Sequence, residues 1–349
     1  MKVIIVELST SHEECIYAQV LFLKHAGIET SLLLHKALAQ QVSSYETLCK
    51  SVDYIHPLKK GAFRKIRQQV RTAQKLKQYD LVIFNTASSS KFVRNLCLLL
   101  LTASVPCVGV LHNGNKLLKS FTQRIISLKI KKYMVLSDQI KDYLSGKTAI
   151  EVSSFYPIFF PDYKSEITKP KEDVWIAIPG RIDWQRRDYM ILINALSKLK
   201  HFKNLKFLLL GKLDTSRAEE KELWEAITKN DLQNAFLCFN SFIANEEYHG
   251  YIKASDFILP LLKSEDNYLK YKISGSFNLA YAYKKPLLCK QFFEPLEDLK
   301  ENAIFYPGDE LDKLLFHILD DNMVLPEGYT NPKWSFKYQQ ANYMEFLDL

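Results

Sequence analysis

Short β-branched runs alternate with amphipathic helical windows along this 349-residue chain, stop once, and then start again. In the first series the strand-like runs fall at 3–6, 30–34, 81–84, 108–111 and 133–136, with helical windows near 14–26, 62–77, 89–101, 116–130 and 138–144. A strand followed each time by a helix must return parallel to its predecessor, so the pattern predicts a parallel sheet covered on both faces. It breaks at 153–173, SSFYPIFFPDYKSEITKPKED, which holds three prolines and no helical period. It resumes with strand-like runs at 174–178, 207–210, 236–239, 257–260, 287–289 and 304–305, and helical windows near 186–199, 216–229, 245–253, 275–284 and 309–320. The tail from Trp334 is helical in period with no strand after it, so it must pack on something already built. The expected class is α/β, with two tandem Rossmann-like domains. Their expected bounds are 1–155 and 173–330, joined by a linker at 156–172 and followed by a C-terminal helix within 331–349.

Charge divides at the same place. Residues 1–150 hold 22 Lys and Arg against 9 Asp and Glu, whereas the remainder holds 25 against 30. A basic first domain and a slightly acidic second one predict different partners, the first being anionic. Six cysteines are scattered without a C-x-x-C pair, which reads as reduced thiols in a cytoplasmic chain. The start, MKVIIVELSTSHEE, puts acidic residues directly after a six-residue apolar run, unlike a signal peptide. The most apolar stretch, 96–111, is interrupted by Thr102, Ser104 and Pro106 and falls short of the roughly 20 residues a bilayer span needs, so it reads as a core helix followed by a buried strand.

No G-x-x-x-x-G-K-[ST], G-x-G-x-x-G, H-E-x-x-H or G-x-S-x-G occurs, which removes the usual signatures of ATPases, dehydrogenases, zincins and α/β-hydrolases. His12-Glu13-Glu14 has no second histidine behind it, and the eight histidines show no ligand spacing, so no protein-held metal and no cofactor is expected.

Two segments of the second domain suit an anion. Gly180-Arg181-Ile182-Asp183-Trp184-Gln185-Arg186-Arg187 follows the strand that opens this domain and runs into a helix. A glycine turn there exposes backbone N–H groups at the carboxyl edge of the sheet, and the arginines add charge-assisted hydrogen bonds to a diphosphate. The plainer reading is a solvated first turn with ordinary Arg–Asp pairs. Ser274-Gly275-Ser276, followed by Phe277 and Asn278, opens another helix; it either caps that helix or lets a ligand phosphate take the place of the cap.

The order G-R-I-D-W-Q-R-R-D-Y, F-L-L-L-G, A-S-D-F-I-L-P and S-G-S-F-N-L-A-Y-A-Y-K-K-P-L-L resembles the donor domain of GT-B glycosyltransferases of the retaining "group 1" family, over roughly residues 174–306. The resemblance implies that the C-terminal helix, within 331–349, crosses back to pack on the first domain, and that the chain is a hexosyltransferase-type enzyme that works without a metal. It would move a sugar from a nucleotide-diphosphate donor to a glycan or lipid-linked acceptor, in surface polysaccharide biosynthesis. In that family an arginine after the glycine and a basic residue a few positions on hold the diphosphate; Arg181 and Arg186 match them. Gly180, Ser274, Gly275, Ser276 and Asn278, from the two anion-ready segments, complete the candidate donor-binding residues. The family's pair of glutamates is absent: the matching places hold Tyr271 and Leu279, with Glu265 and Asn278 nearby. The glycine usual near Lys284 is missing, and Ser9-Thr10-Ser11-His12 stands where the family has a Gly-rich loop. These departures keep open a second reading, a non-catalytic sugar-nucleotide-binding or partner subunit with a degenerate site.

Leu111-His112-Asn113-Gly114 follows a strand of the first domain, and related transferases place a histidine in this loop near the donor sugar. His112 is therefore a candidate catalytic residue with Arg181 and Arg186; alternatively Asn113-Gly114 is a turn with a positive φ, and His112 is a neighbour. On the 62–77 helix, Phe63, Ile66, Val70, Ala73 and Leu76 form one stripe, and Arg64, Arg67, Arg71 and Lys75 form another. That helix is either a soluble helix with a basic outer face or a means of holding the domain peripherally on an anionic membrane at its inner face. Tyr156, Phe159 and Phe160 have prolines between them and no interleaved basic residues, which argues for packing and against nucleic acid.

Overall fold

A computed structural model describes residues 1–58, 60–88, 90–199, 204–320, 323–326 and 328–349. The chain divides into two units. Unit 1 comprises Met1–Pro161, Lys270–Ile273 and Ser335–Leu349; unit 2 comprises Asp162–Leu269 and Ser274–Trp334.

Unit 1 is built on seven parallel strands, β1 (Lys2–Glu7), β2 (Glu29–His35), β3 (Ser51–Ile55), β4 (Leu81–Phe84), β5 (Cys107–Leu111), β6 (Lys132–Val135) and β7 (Glu151–Ser154), in the order β3-β2-β1-β4-β5-β6-β7. The central strands β1, β4 and β5 are buried on both faces, as a sheet covered by helices requires. The edge strands β3 and β7 escaped the sequence reading because they are only half buried and carry polar residues. The helical window at 116–130 is two helices, Asn115–Lys119 and Phe121–Ile126, because Ser120 is extended and caps the second by accepting from Gln123 N. Of the window at 89–101, Ser89 lies outside the described residues and the helix is Lys91–Leu99.

The helix Phe336–Phe346 belongs to unit 1 and lies along the helix Ile16–His25. Phe336 and Tyr343 pack on Phe22, the Tyr343 hydroxyl donates to Gln19 at 3.0 Å, and Tyr156 N donates to Gln339 at 2.9 Å. The aromatic residues of the expected linker therefore have structural partners: Phe159 sits edge-on against Phe22 and Phe336, and Tyr156 is buried.

Unit 2 has six parallel strands, β8 (Val174–Pro179), β9 (Leu205–Lys212), β10 (Phe236–Phe239), β11 (Phe257–Ile258), β12 (Leu287–Lys290) and β13 (Ala303–Tyr306), in the order β10-β9-β8-β11-β12-β13. Lys284, where the family resemblance called for a glycine, ends the helix Gly275–Tyr283 in the left-handed conformation with φ 51°. A lysine thus holds a turn conformation that glycine adopts without strain.

His249, on the helix Asn245–Ala254, is buried in unit 2, stacked on Tyr163 and hydrogen-bonded through Nδ1 to the Tyr283 hydroxyl at 2.7 Å. Burial, with nearby Lys253 adding to it, pushes its pKa down to about 4. The folded chain then holds His249 neutral while the unfolded chain takes up a proton near pH 6.5. Stability is full above that pH and is lost as pH falls toward 4, by a penalty on the order of 3 kcal/mol. Thermal unfolding followed from pH 7.5 to 4.5 should show this loss, and His249→Gln should flatten the profile.

Candidate functional site

In unit 2 strand order reverses at β8, which has β9 on one side and β11 on the other. In open parallel sheets ligands bind at the carboxyl ends of the strands at such a switch point. β8 ends at Pro179, and Gly180 turns with φ 98°, a region that favours glycine. The turn lies against the end of β9: a Cβ on Gly211 would stand 2.5 Å from the Gly180 carbonyl oxygen. Both glycines are therefore needed, one for its dihedral and one for close approach.

The three arginines that follow part ways. Arg181 is exposed and has neither an ion pair nor a hydrogen bond among the described residues. Arg186 donates from Nε to Asp183 at 2.7 Å. Burial would raise the Asp183 pKa, but Arg186 outweighs it and holds the carboxyl below its ordinary value. Arg187 is buried, with its guanidinium donating to the carbonyl oxygens of Pro179 and Pro260. The expectation that all three could meet a diphosphate needs this correction: Arg187 ties the end of β8 to the segment after β11. That segment contains Leu261 at φ 53°, and backbone hydrogen bonds Asp188 N to Leu261 O and Lys263 N to Arg186 O join the two loops.

The helix Gly275–Tyr283 connects β11 to β12. Ser274 caps it by accepting from Ser276 N at 3.3 Å. In its first turn the Ser276 hydroxyl and the Asn278 side-chain oxygen are buried without a hydrogen-bond partner among the described residues. Buried polar atoms are ordinarily satisfied, so a donor and an acceptor left bare at a helix start are unusual. Gly275, exposed just before Ser276, would meet nothing within 4 Å if it carried a Cβ, so the backbone is approachable from outside. Tyr271 and Leu279 supply no carboxylate. Tyr271 belongs to unit 1, where its carbonyl accepts from Gly114 N at 3.0 Å, and Leu279 is buried.

In unit 1 the comparable reversal lies between β1 and β4. Glu7, at the end of β1, is wholly buried and accepts hydrogen bonds from Ser9 N, Asn85 Nδ2 and the Thr86 hydroxyl at 2.8, 2.7 and 2.6 Å. Asn85 Nδ2 also donates to the His12 carbonyl at 2.8 Å, and Asn85 Oδ1 accepts from Gln19 at 2.7 Å. His112, just past β5, has Nε2 2.8 Å from the Asn85 carbonyl oxygen, so that nitrogen carries the proton. Its ring is stacked on His12 with centroids 3.7 Å apart, and His12 Nδ1 is 3.4 Å from Glu14. Burial, reinforced by His12, pushes the His112 pKa down to about 4, so the ring is neutral at pH 7. Burial lowers His12 but Glu14 more than compensates, leaving its pKa raised. The pairing of His12 with His112 was missed by the sequence reading, because the residues lie a hundred positions apart and only the strand order brings them together. Gly114 is in the right-handed helical region at φ −60°, which corrects the positive-φ turn considered for Asn113-Gly114; a Cβ there would stand 2.9 Å from Ile140 Cγ2, so close packing is what requires glycine.

No protein-family model and no curated protein sequence matches the chain. Its likeness to solved structures extends over the whole chain. The HepE protein of Anabaena in complex with UDP superposes with a TM-score of 0.66 at 18% identity, covering 99% of this chain and 95% of that one. A glycosyltransferase from Rickettsia africae gives 0.64 at 16%, covering 99% and 93%. A UDP-N-acetylglucosamine 2-epimerase, so described, from Listeria monocytogenes gives 0.67 at 11%, covering 100% and 97%. The fold is GT-B. Within GT-B, the Gly180 turn and the Gly275–Tyr283 helix start both belong to unit 2, the C-terminal Rossmann-like unit, and the His12–His112 pair belongs to unit 1.

Gly211→Ala should displace the Gly180–Arg181 turn and cost about 1–3 kcal/mol in denaturant unfolding, as overpacking does. Asn85→Leu should cost more, about 3–5 kcal/mol, because it removes one donor from the buried Glu7 carboxylate and also leaves Gln19 and the His12 carbonyl without their Asn85 partner. Urea titration of both variants checks this order.

Proposed function

We propose that the chain is a glycosyltransferase of the retaining group 1 type that binds a nucleotide-diphosphate sugar in unit 2. The observation that carries this reading is the pair of unpartnered polar groups, Ser276 Oγ and Asn278 Oδ1, buried in the first turn of the helix that Ser274 caps. A phosphate oxygen accepting from the Ser276 hydroxyl and a ribose or sugar hydroxyl donating to Asn278 would satisfy both. Arg181, exposed and unpaired, and Arg186 on the Gly180 turn would supply positive charge to a leaving diphosphate, together with the N–H groups of the Gly275 turn. No metal is needed at the diphosphate in this arrangement. UDP is the nucleotide favoured by the likeness to HepE, whose structures hold UDP, UDP with glucose, or UDP-glucose. His112 is the residue of unit 1 that we assign to the reaction, as a neutral imidazole.

Thermal unfolding with UDP, GDP and their sugars tests this directly. A ligand at a hundred times its Kd stabilises by about 2.7 kcal/mol, well above the noise of such a measurement. Arg181→Glu should abolish both the shift and sugar transfer, and EDTA should leave UDP binding unchanged. The second reading, a non-catalytic sugar-nucleotide-binding or partner subunit, is favoured by Tyr271 and Leu279 standing where the family has glutamates. Donor binding without hydrolysis or transfer to any acceptor would select it.

The acceptor we propose is a glycan or lipid-linked chain met at an anionic membrane surface. Phe63 is 80% exposed and Ile66 59% exposed, beside Arg64, Arg67 and Arg71. Of the helix Ala62–Leu76 only Thr72, Ala73 and Leu76 are buried. Farther along the same unit Leu98, Leu101 and Phe121 are also exposed. Among the described residues no helix is long and apolar enough to cross a membrane. An interfacial attachment by aromatic and basic side chains, each basic one worth about 1 kcal/mol near the surface, suits such a face. In flotation assays the protein should rise with anionic and not with neutral liposomes, less so at high salt, and Arg64→Glu with Arg67→Glu should abolish flotation.

A further inference from the structure

Beyond the donor reading, and sharing with it only His112, we propose that His12, Glu14 and His112 of unit 1 form a binding site for one divalent transition-metal ion of the zinc class. One ligand atom from each side chain lies within 4.8 Å of the others. Two imidazoles and one carboxylate are the donor set that borderline ions take, in contrast to the all-oxygen sets of magnesium and calcium. A tetrahedral ion with bonds of about 2.0–2.2 Å holds its ligand atoms roughly 3.3 Å apart, so the three side chains need to close by at most about 1.5 Å. His12 and Glu14 are free to make that movement: their side chains are 34% and 44% exposed, and they sit two residues apart in one turn of chain. Closure would turn the two stacked rings out of their parallel arrangement.

The surroundings are those of a ligand shell. A metal-bound histidine donates its second ring N–H to a carbonyl or carboxylate, which fixes the tautomer and presents the other nitrogen as a lone pair. His112 Nε2 does so to the Asn85 carbonyl, leaving Nδ1 as its free lone pair. Asn85 is itself anchored by the buried Glu7, and through Nδ2 it holds the His12 carbonyl. His12 takes up a left-handed backbone conformation, φ 73°, in a stretch where the chain could have used glycine. Three protein ligands would leave a position for water or a substrate hydroxyl, the pattern of catalytic zinc sites.

The test uses the full chain, stripped with EDTA and dialysed, and titrated with Co2+ followed by visible absorption and with Zn2+ followed by calorimetry. The expected result is one equivalent bound, with ligand-field bands of a four-coordinate cobalt ion and no thiolate-to-cobalt charge transfer. His12→Ala and Glu14→Gln should each weaken binding by at least tenfold to a hundredfold while leaving circular dichroism unchanged. Glu14→Gln is the variant least able to disturb folding, since its side chain is exposed. Wild-type binding no stronger than that of the His12→Ala, Glu14→Gln double variant would overturn the proposal. So would a thiolate charge-transfer band, which would move the ion to one of the six cysteines.

Discussion

Glu7 and Asn85 hold the carboxyl edge of the unit 1 sheet together. An ionised carboxylate with no exposure costs several kcal/mol unless its lone pairs are filled, and Ser9 N, Asn85 Nδ2 and the Thr86 hydroxyl fill them. Asn85 then passes the order outward in three directions. It fixes the His12 backbone, orients the His112 ring, and engages Gln19, which in turn receives the Tyr343 hydroxyl from the C-terminal helix. A fully satisfied buried network of this kind has one low-energy arrangement, so the positions of both histidines are consequences of a charge placed at the end of β1.

The corresponding place in unit 2 is arranged without a buried carboxylate. There the order comes from backbone: a positive-φ Gly180, a close approach at Gly211, and Arg187 drawing two strand-end carbonyls together. Charge is left at the surface, in Arg181. The two units thus solve the same problem, how to hold a loop at a sheet edge, by opposite means. The GT-B fold itself does not choose among chemistries, since proteins described as transferases and as an epimerase share it. What separates them must be sought in these loops.

Much of this was legible in the residues. The central strands announce themselves as apolar runs, and β4 and β10 coincide with the expected segments. The GT-B class followed from the alternation and from the donor-like motifs. Edge strands β3 and β7 were not legible, because half-exposed strands with polar residues carry no apolar run. Ser120 hid a helix break, since serine is compatible with a helix interior and only its capping bond to Gln123 N reveals the end. Position along the chain placed Gly180 and Arg181 at a strand end, but nothing in the sequence distinguishes Arg187 from its neighbours; only burial does. His12 with His112 is the clearest case of information that resides in strand order alone.

Unit 1 is not continuous in sequence. Its sheet is complete by Ser154, yet the helix that covers Phe22 and receives Tyr156 comes from residues 336–346, after all of unit 2. During synthesis at about 5–20 residues per second, roughly ten to thirty-five seconds separate the two. Throughout that interval Phe22 and Phe155 lack the aromatic cover they have in the finished protein. The nascent first unit is therefore a waiting state with apolar surface exposed, one a chaperone would recognise. A ribosome stalled within unit 2 would release a chain that has its sheet and lacks the means to close it.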